Sequence, residues 1–222
     1  MPLFGKAALA MWWDMSPAIR TEFEDWHSHE HFPERLGIPG FLRGSRWRAV
    51  EGEGFYVMYE LEAFETLTSP PYVHRLNNPT PWSTKLFPHH RNMVRSQCRV
   101  LETSGSGIAG HMMTIRFSPD EGDAEAVRSA LRSAIQRIPH LPGLSGAHLL
   151  RTETPQMAAT VEQKIRGGRD AAADWIMLVS GYEAGALEDC KSSELADILR
   201  DARYDTFRLS LAATPRDLGV GS

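Results

Sequence analysis

Trp26-His27-Ser28-His29-Glu30-His31-Phe32-Pro33-Glu34-Arg35-Leu36, followed by Ile38-Pro39-Gly40-Phe41, reads as the end of a helix and the turn into a strand. Upstream, Ser16-Pro17 is a helix start, with serine at the N-cap and proline at the first helical position. Ile19, Phe23, Trp26 and Glu30 then recur at the spacing of one helical face. Pro33 lacks a backbone donor and crowds the carbonyl of His29, so the helix is expected to kink or end there. Pro39-Gly40 is a turn. Three histidines, two acids and an arginine on the last turns of one helix are costly in a core and unnecessary on a surface. The stretch therefore reads as a site.

Working outward, residues 6–13 are a compact apolar run, a buried strand. Residues 41–50 and 55–61 read as two strands joined by the hairpin loop Glu51-Gly52-Glu53-Gly54. Residues 63–76 look helical with an interruption at Pro70-Pro71, residues 77–92 form a long irregular loop, and 93–102 a strand. The order is β-α-β-β-α-β. It repeats: strand 108–117, helix 120–138, turn Pro142-Gly143-Leu144, strands 146–152 and 174–182, helix 184–200, strand 204–213. Ala126, Ala130, Ala134 and Ile138 are expected on one face of the helix at 120–138. Gly105-Ser106-Gly107 joins the halves, and residues 158–173 are an insertion. Each half reads as a ferredoxin-like split βαβ unit, and two such units pack sheet to sheet as an α+β barrel. Residues 1–104 form the repeat with the site; residues 105–222 form the second repeat, mainly scaffold.

Composition removes several classes. The 222 residues carry 24 basic against 28 acidic side chains, so the chain lacks the basic footprint of a nucleic-acid binder. No apolar run approaches the roughly 20 residues that span a bilayer. The start, Met1-Pro2-Leu3-Phe4-Gly5-Lys6, is too short and broken for a secretory signal. Cys98 and Cys190 make neither a disulfide framework nor a zinc site by spacing, and Cys98 on a strand reads as a buried small residue. A cytoplasmic protein with free thiols is expected.

Trp26, then His31-Phe32-Pro33, then Pro39-Gly40 resembles the pattern of the dimeric α+β barrel superfamily, and within it the ethyl tert-butyl ether degradation (EthD)-like proteins. The resemblance covers residues 6 to 103 by motif and the second half by element order. Around Arg137 to Pro142 the second half keeps His140 and Pro142 without the leading aromatic residue. The resemblance implies a tandem fusion of two ferredoxin-like units. It leaves the chemistry open among lactone isomerases, polyketide cyclases, cofactor-free monooxygenases and haem enzymes.

On a helix, positions four apart share a stripe, so Phe23, His27 and His31 align, as do Trp26 and Glu30. His31 reads as an acid–base group, with His27 and Glu30 as further catalytic candidates and Glu30 or Glu34 orienting the imidazole. The bland reading is a buried network of His27 and Glu30 with Arg35, Arg43 or backbone. His27-Ser28-His29-Glu30-His31 also matches the inverted zinc-peptidase pattern, without a third acidic ligand in context. A looser metal site would join His27 and His31 to His89 or His90. Residues 77–92, with three prolines, Trp82 and Phe87, read as an ordered lid or a dimerisation arm. Trp12, Arg43, Trp82, His89 and His90 are the candidate substrate contacts.

Two functions follow. One is an enzyme without organic cofactor acting on a small cyclic or aromatic molecule by isomerisation, elimination, cyclisation or oxygenation, with a histidine acid–base in a barrel pocket. The other is a non-catalytic ligand-binding or assembly protein of the same fold, or a haem- or metal-binding member. No organic cofactor is expected, and a histidine-bound metal or haem stays open. The expected partner is a small molecule, with no nucleic acid, no membrane, and a homodimer through the aromatic loop.

Overall fold

The computed structural model describes residues 3–120, 122–167, 170–199 and 201–220. Met1 and Pro2 at the chain start, Glu121 in the 120–138 helix, Gly168 and Arg169 of the insertion, and Arg200 at the end of the 184–200 helix lie outside the described residues.

Eight antiparallel strands among the described residues close into a barrel in the order β1-β3-β2-β8-β5-β7-β6-β4. The first half supplies β1 (Ala7–Asp14), β2 (Phe41–Ala49), β3 (Gly54–Leu61) and β4 (Arg91–Gly105). The second supplies β5 (His111–Phe117), β6 (Leu144–Thr152), β7 (Trp175–Gly181) and β8 (Arg203–Ala213). Each half keeps the same internal order, β4-β1-β3-β2 and β8-β5-β7-β6. The edges pair crosswise, β2 with β8 and β4 with β6. The tandem α+β barrel expected from the element order is therefore the fold, and closure removes the sheet edges that a single unit would expose.

Strand alternation sorts the side chains. Ala8, Ala10 and Trp12 of β1, with Tyr56 and Met58 of β3, fill the barrel interior alongside Trp47, Ile176, Leu178 and Phe207. Leu9, Met11 and Trp13, with Phe55, Val57 and Tyr59, face outward beneath the first-half helices. A second outer core lies under the second-half helices. Large aromatic residues thus fill the barrel, and the candidate site sits outside it, between sheet and helices. The expected barrel pocket is corrected accordingly.

The helices are α1 (Pro17–Trp26), α2 (Phe32–Leu36), α3 (Pro70–Asn77), α4 (Pro81–Leu86), α5 (Ala124–Arg137), α6 (Val161–Ile165) and α7 (Ala184–Cys190). Several differ from expectation. Pro33 does not end the first helix: a π-turn at His27–His31 links α1 to α2, and the chain continues helically to Leu36. The wider π-turn directly upstream accommodates the ring that an uninterrupted α-helix would expel. Pro70-Pro71 starts α3 rather than interrupting a helix, because a first-turn proline loses no bond. Residues 77–92 are not irregular: Thr80 caps α4 by accepting from Ser83 N at 3.0 Å, and a 3₁₀ turn, Phe87–His89, follows. Strand β4 absorbs Gly105, and β5 begins at His111 rather than at Ile108. Helix α5 buries Leu131, Ala134 and Ile135, whereas Ala126 and Ala130 face solvent. The apolar stripe is set by the larger side chains.

Gly44 lets α2 lie close on the sheet. A Cβ there would sit 2.6 Å from Cζ of the Phe32 ring. No helix among the described residues is long and apolar enough to cross a membrane.

Candidate active site

The π-turn decides what the first helix presents. Its wide bond, Phe32 N to His27 O, brings Trp26 and His31, five residues apart, to a ring-centroid separation of 4.5 Å. His27 and His31 lie 5.6 Å apart, one turn along the same stripe. Beneath them are Trp13 on β1 and Tyr59 on β3. From the side comes His90, whose ring packs 5.0 Å from Trp13, 5.8 Å from Phe23 and 5.9 Å from Phe87. These groups enclose a cavity of about 40 Å³, enough for a water or two.

All three histidines are held neutral. Burial lowers His27 well below its ordinary value, helped by the field of Arg46. Burial lowers His31 likewise, with Arg35 as the next cause. Burial carries His90 down to about 3. The tautomer of His90 is fixed: Nδ1 lies 3.2 Å from Leu86 O and 3.3 Å from Phe87 O. Both are acceptors, so Nδ1 carries the proton and Nε2 is the free base. The Nδ1 atoms of His27 and His31, by contrast, have no hydrogen-bond partner although buried. Glu34 Oε2 stands 3.8 Å from His31 Nδ1, too far for a hydrogen bond, and burial raises the Glu34 pKa.

Glu30 does other work. Its Oε1 accepts from Trp26 Nε1 at 3.0 Å and from Thr80 Oγ1 at 2.5 Å, with Ser83 Oγ at 3.5 Å. It fastens α4 to the first helix and does not line the cavity. Residues 77–92 are consequently a tethered wall. Trp82 belongs to that wall, donating to Glu22 Oε1 at 3.3 Å. His89 is exposed.

Two other expected contacts lie elsewhere. Trp12 points into the barrel, where its Nε1 donates to Thr114 Oγ1 at 3.1 Å and its ring stacks on Tyr56 at 4.8 Å. Arg43 forms a two-point pair with Glu60, at 2.6 and 3.0 Å. Strand parity explains Trp12: its neighbour Trp13 takes the outward position.

The cover comes from the second half. Helix α6 places Glu162 against Arg35 as an ion pair, both nearly buried. Arg166 follows one turn on, paired with Asp170 at 2.8 Å. Arg95 of β4 completes this side, donating to Tyr72 Oη at 2.8 Å. Sequence reasoning missed Glu162 and Arg166 because nothing local marks an acid 127 residues from its partner. Tyr59 and Trp13 could have been found, since both sit on strand positions facing the helices.

A larger cleft, about 630 Å³, opens at the barrel rim beside Trp12 and Arg116. Its arginines each have an acidic partner, Arg91 with Glu53, and Arg116 and Arg203 with Asp205, although Arg116 Nε is buried without a hydrogen bond. Trp13 Nε1, His27 Nδ1, His31 Nδ1, Arg35 Nη1 and Tyr59 Oη, all buried without a partner, belong to residues that line the histidine cavity, and we take that cavity as the site.

Among the described residues no group of three or more His, Cys, Asp or Glu is arranged to hold a metal ion. His27 and His31 are not brought into such a group with His89 or His90, nor are His27, Glu30 and His31 of the zinc-peptidase pattern. Cofactor-sized ligands occupy about 300–1,000 Å³. A haem, like any ring-sized ligand, would need the α6 cover and its surroundings displaced.

The sequence matches no family model and no curated protein. Solved structures do match, over nearly the whole chain. An anthrone oxidase-like protein superposes with a TM-score of 0.66 at 12% identity, over 98% of this chain and 96% of that one. A "Putative monooxygenase" from Fusobacterium nucleatum gives 0.62 at 8%, over 96% of each chain. Another "putative monooxygenase", from Lactobacillus acidophilus, gives 0.60 at 11%, over 95% and 96%. At these identities the likeness establishes the α+β barrel of tandem ferredoxin-like repeats. The narrower EthD-like assignment finds no match.

Proposed function

We propose that the chain is a small-molecule enzyme working without an organic cofactor, in which a neutral buried histidine removes a proton from a small aromatic or cyclic substrate that then reacts with dioxygen. One observation carries this reading. His27 and His31, both buried and both with an unpartnered Nδ1, line one aromatic-walled cavity with His90. An uncharged imidazole with an uncommitted ring nitrogen, buried among aromatic side chains, is the equipment of a general base.

The lowered pKa values limit the substrate. A base held well below the usual histidine value removes only acidic protons efficiently. Phenols qualify, as do carbon acids flanked by an aromatic ring and a carbonyl. For such a methylene the net change is that the methylene and one dioxygen give a carbonyl and one water. The substrate loses four electrons and dioxygen gains four, one oxygen entering the product and the other leaving as water. His31, packed against Trp26, is the first choice of base, and His27 and His90 supply further neutral nitrogens. The names of the structural neighbours, an oxidase-like protein and two monooxygenases, favour oxygenation over the isomerase, lyase and cyclase alternatives.

The test is dissolved-oxygen consumption with a panel of anthrones and hydroxynaphthalenes, each with and without a ring carboxylate, using wild-type protein and His31→Gln. Uptake that disappears in the variant supports the assignment. Saturable binding of those compounds with no turnover would favour the non-catalytic binding alternative instead.

A further inference from the structure

Resting on that reading for where the ligand lies, we infer that the molecule this cavity takes carries an ionised oxygen on a small ring, a carboxylate or an acidic phenolate, and that Arg35 and Tyr59 hold it.

Arg35 is 3% exposed and lines the cavity. Its Nη2 is committed to Glu162, but its Nη1 is buried with no partner. Guanidinium donors are rarely left unpaired in an interior, since desolvation is then uncompensated. Tyr59 is equally buried and lines the same cavity, and its hydroxyl is also unpartnered. Burial raises the Tyr59 pKa far above its ordinary value, so that hydroxyl stays a donor. Two vacant donors on one cavity wall call for an acceptor.

The charges agree. Arg35, Arg95 and Arg166 line the cavity against Glu162 alone, and the three histidines are neutral. Outside the cavity, Asp170 offsets Arg166, and Glu34 beside His31 is itself paired with Arg75 at 3.4 Å, so the excess remains positive. An anion seated on Arg35 would also cancel part of the field that weakens His31 as a base, since Arg35 is the second cause of its lowered pKa. Ligand charge and catalytic basicity are thereby linked.

Glu162 supplies Arg35 with a charge partner from within the chain. It is the chain's own carboxylate on Arg35, delivered by a five-residue helix. A neighbouring hollow of about 130 Å³ shares Leu76, Arg95 and Arg166 with the histidine cavity. Displacing those side chains and α6 joins the two spaces into room for a ring.

The probes are benzoate, 4-nitrophenolate and the neutral isostere benzamide, titrated into the whole chain by calorimetry, with 4-nitrophenolate also followed by absorbance. Both anions are expected to bind saturably and benzamide at least tenfold more weakly. If only one anion binds, it identifies whether the oxygen is a carboxylate or a phenolate. Arg35→Gln should weaken the anions at least tenfold, and Tyr59→Phe several-fold. Glu162→Gln removes the competing carboxylate and should tighten the anions several-fold, a change of sign that general loosening of the fold does not produce. Equal affinity for benzamide, unchanged or weaker anion binding in Glu162→Gln, or no saturable binding of either anion at millimolar concentration overturns the inference. Arg35-dependent anion binding without His31-dependent oxygen uptake would leave this inference standing and remove the proposed reaction. Oxygen uptake on neutral substrates alone would do the reverse.

Discussion

Arg35 and Glu162 come from opposite halves of the chain and form a buried ion pair over the histidine cavity. The second repeat thus supplies part of the first repeat's site as well as closing the barrel. Removing one partner strands a buried charge, which costs about 3–5 kcal/mol. Arg35→Met and Glu162→Leu should each destabilise on that scale, and the double variant by much less than their sum. Urea unfolding of the four proteins measures this, and additive losses would mean the pair is not coupled.

His31→Gln should lower kcat by about 10²–10⁴, the usual contribution of a positioned general base. Its far-ultraviolet circular dichroism should match wild type, because the ring makes no hydrogen bond that holds the helix. Turnover unchanged in this variant would remove His31 from the mechanism.

Stability should fall with acid sooner than surface carboxylates alone predict. His27, His31, His90 and His148 all have folded-state pKa values below the ordinary one, His90 and His148 near 3, chiefly through burial. Below about pH 6.5 the unfolded chain binds protons that the native chain refuses, so stability is complete above that value and declines as pH falls. Each such histidine contributes up to about 1.4 kcal/mol per pH unit. Glu34 and Glu60, whose values are raised by burial, act oppositely and soften the decline at lower pH. A urea midpoint that stays level between about pH 7.5 and 5.5 would contradict this account.

Gly44→Ala tests the link between sheet and site. The new Cβ meets the Phe32 ring at 2.6 Å, so the buried ring must shift and is expected to push α2 with it. Overpacking of this kind costs about 1–3 kcal/mol. Because His31 and Arg35 flank Phe32, ligand binding should weaken along with stability. A variant that loses stability but binds normally would show that the helix moves without carrying the site.

The sequence by itself determined the repeated strand and helix order, and with it the tandem barrel. The apolar run at residues 6–13, the alternation in 55–61 and the turns at Pro39-Gly40 and Pro142-Gly143 are local signals, legible because strand and turn preferences act over a few residues. It also marked His27 and His31, which the structure brings into one cavity. Tertiary structure alone decided the rest. At the π-turn His27–His31, Phe32 seats against Gly44 and Trp26 meets His31 at a spacing no α-helical repeat predicts. Glu30 turned to Thr80 and Ser83 because α4 folded against it. Trp12 and Trp13 exchanged their expected importance once closure fixed which face was the barrel interior. Glu162 joined the site across 127 residues. Such pairings are set by packing and by burial of charge, which act between elements and leave no pattern along the chain.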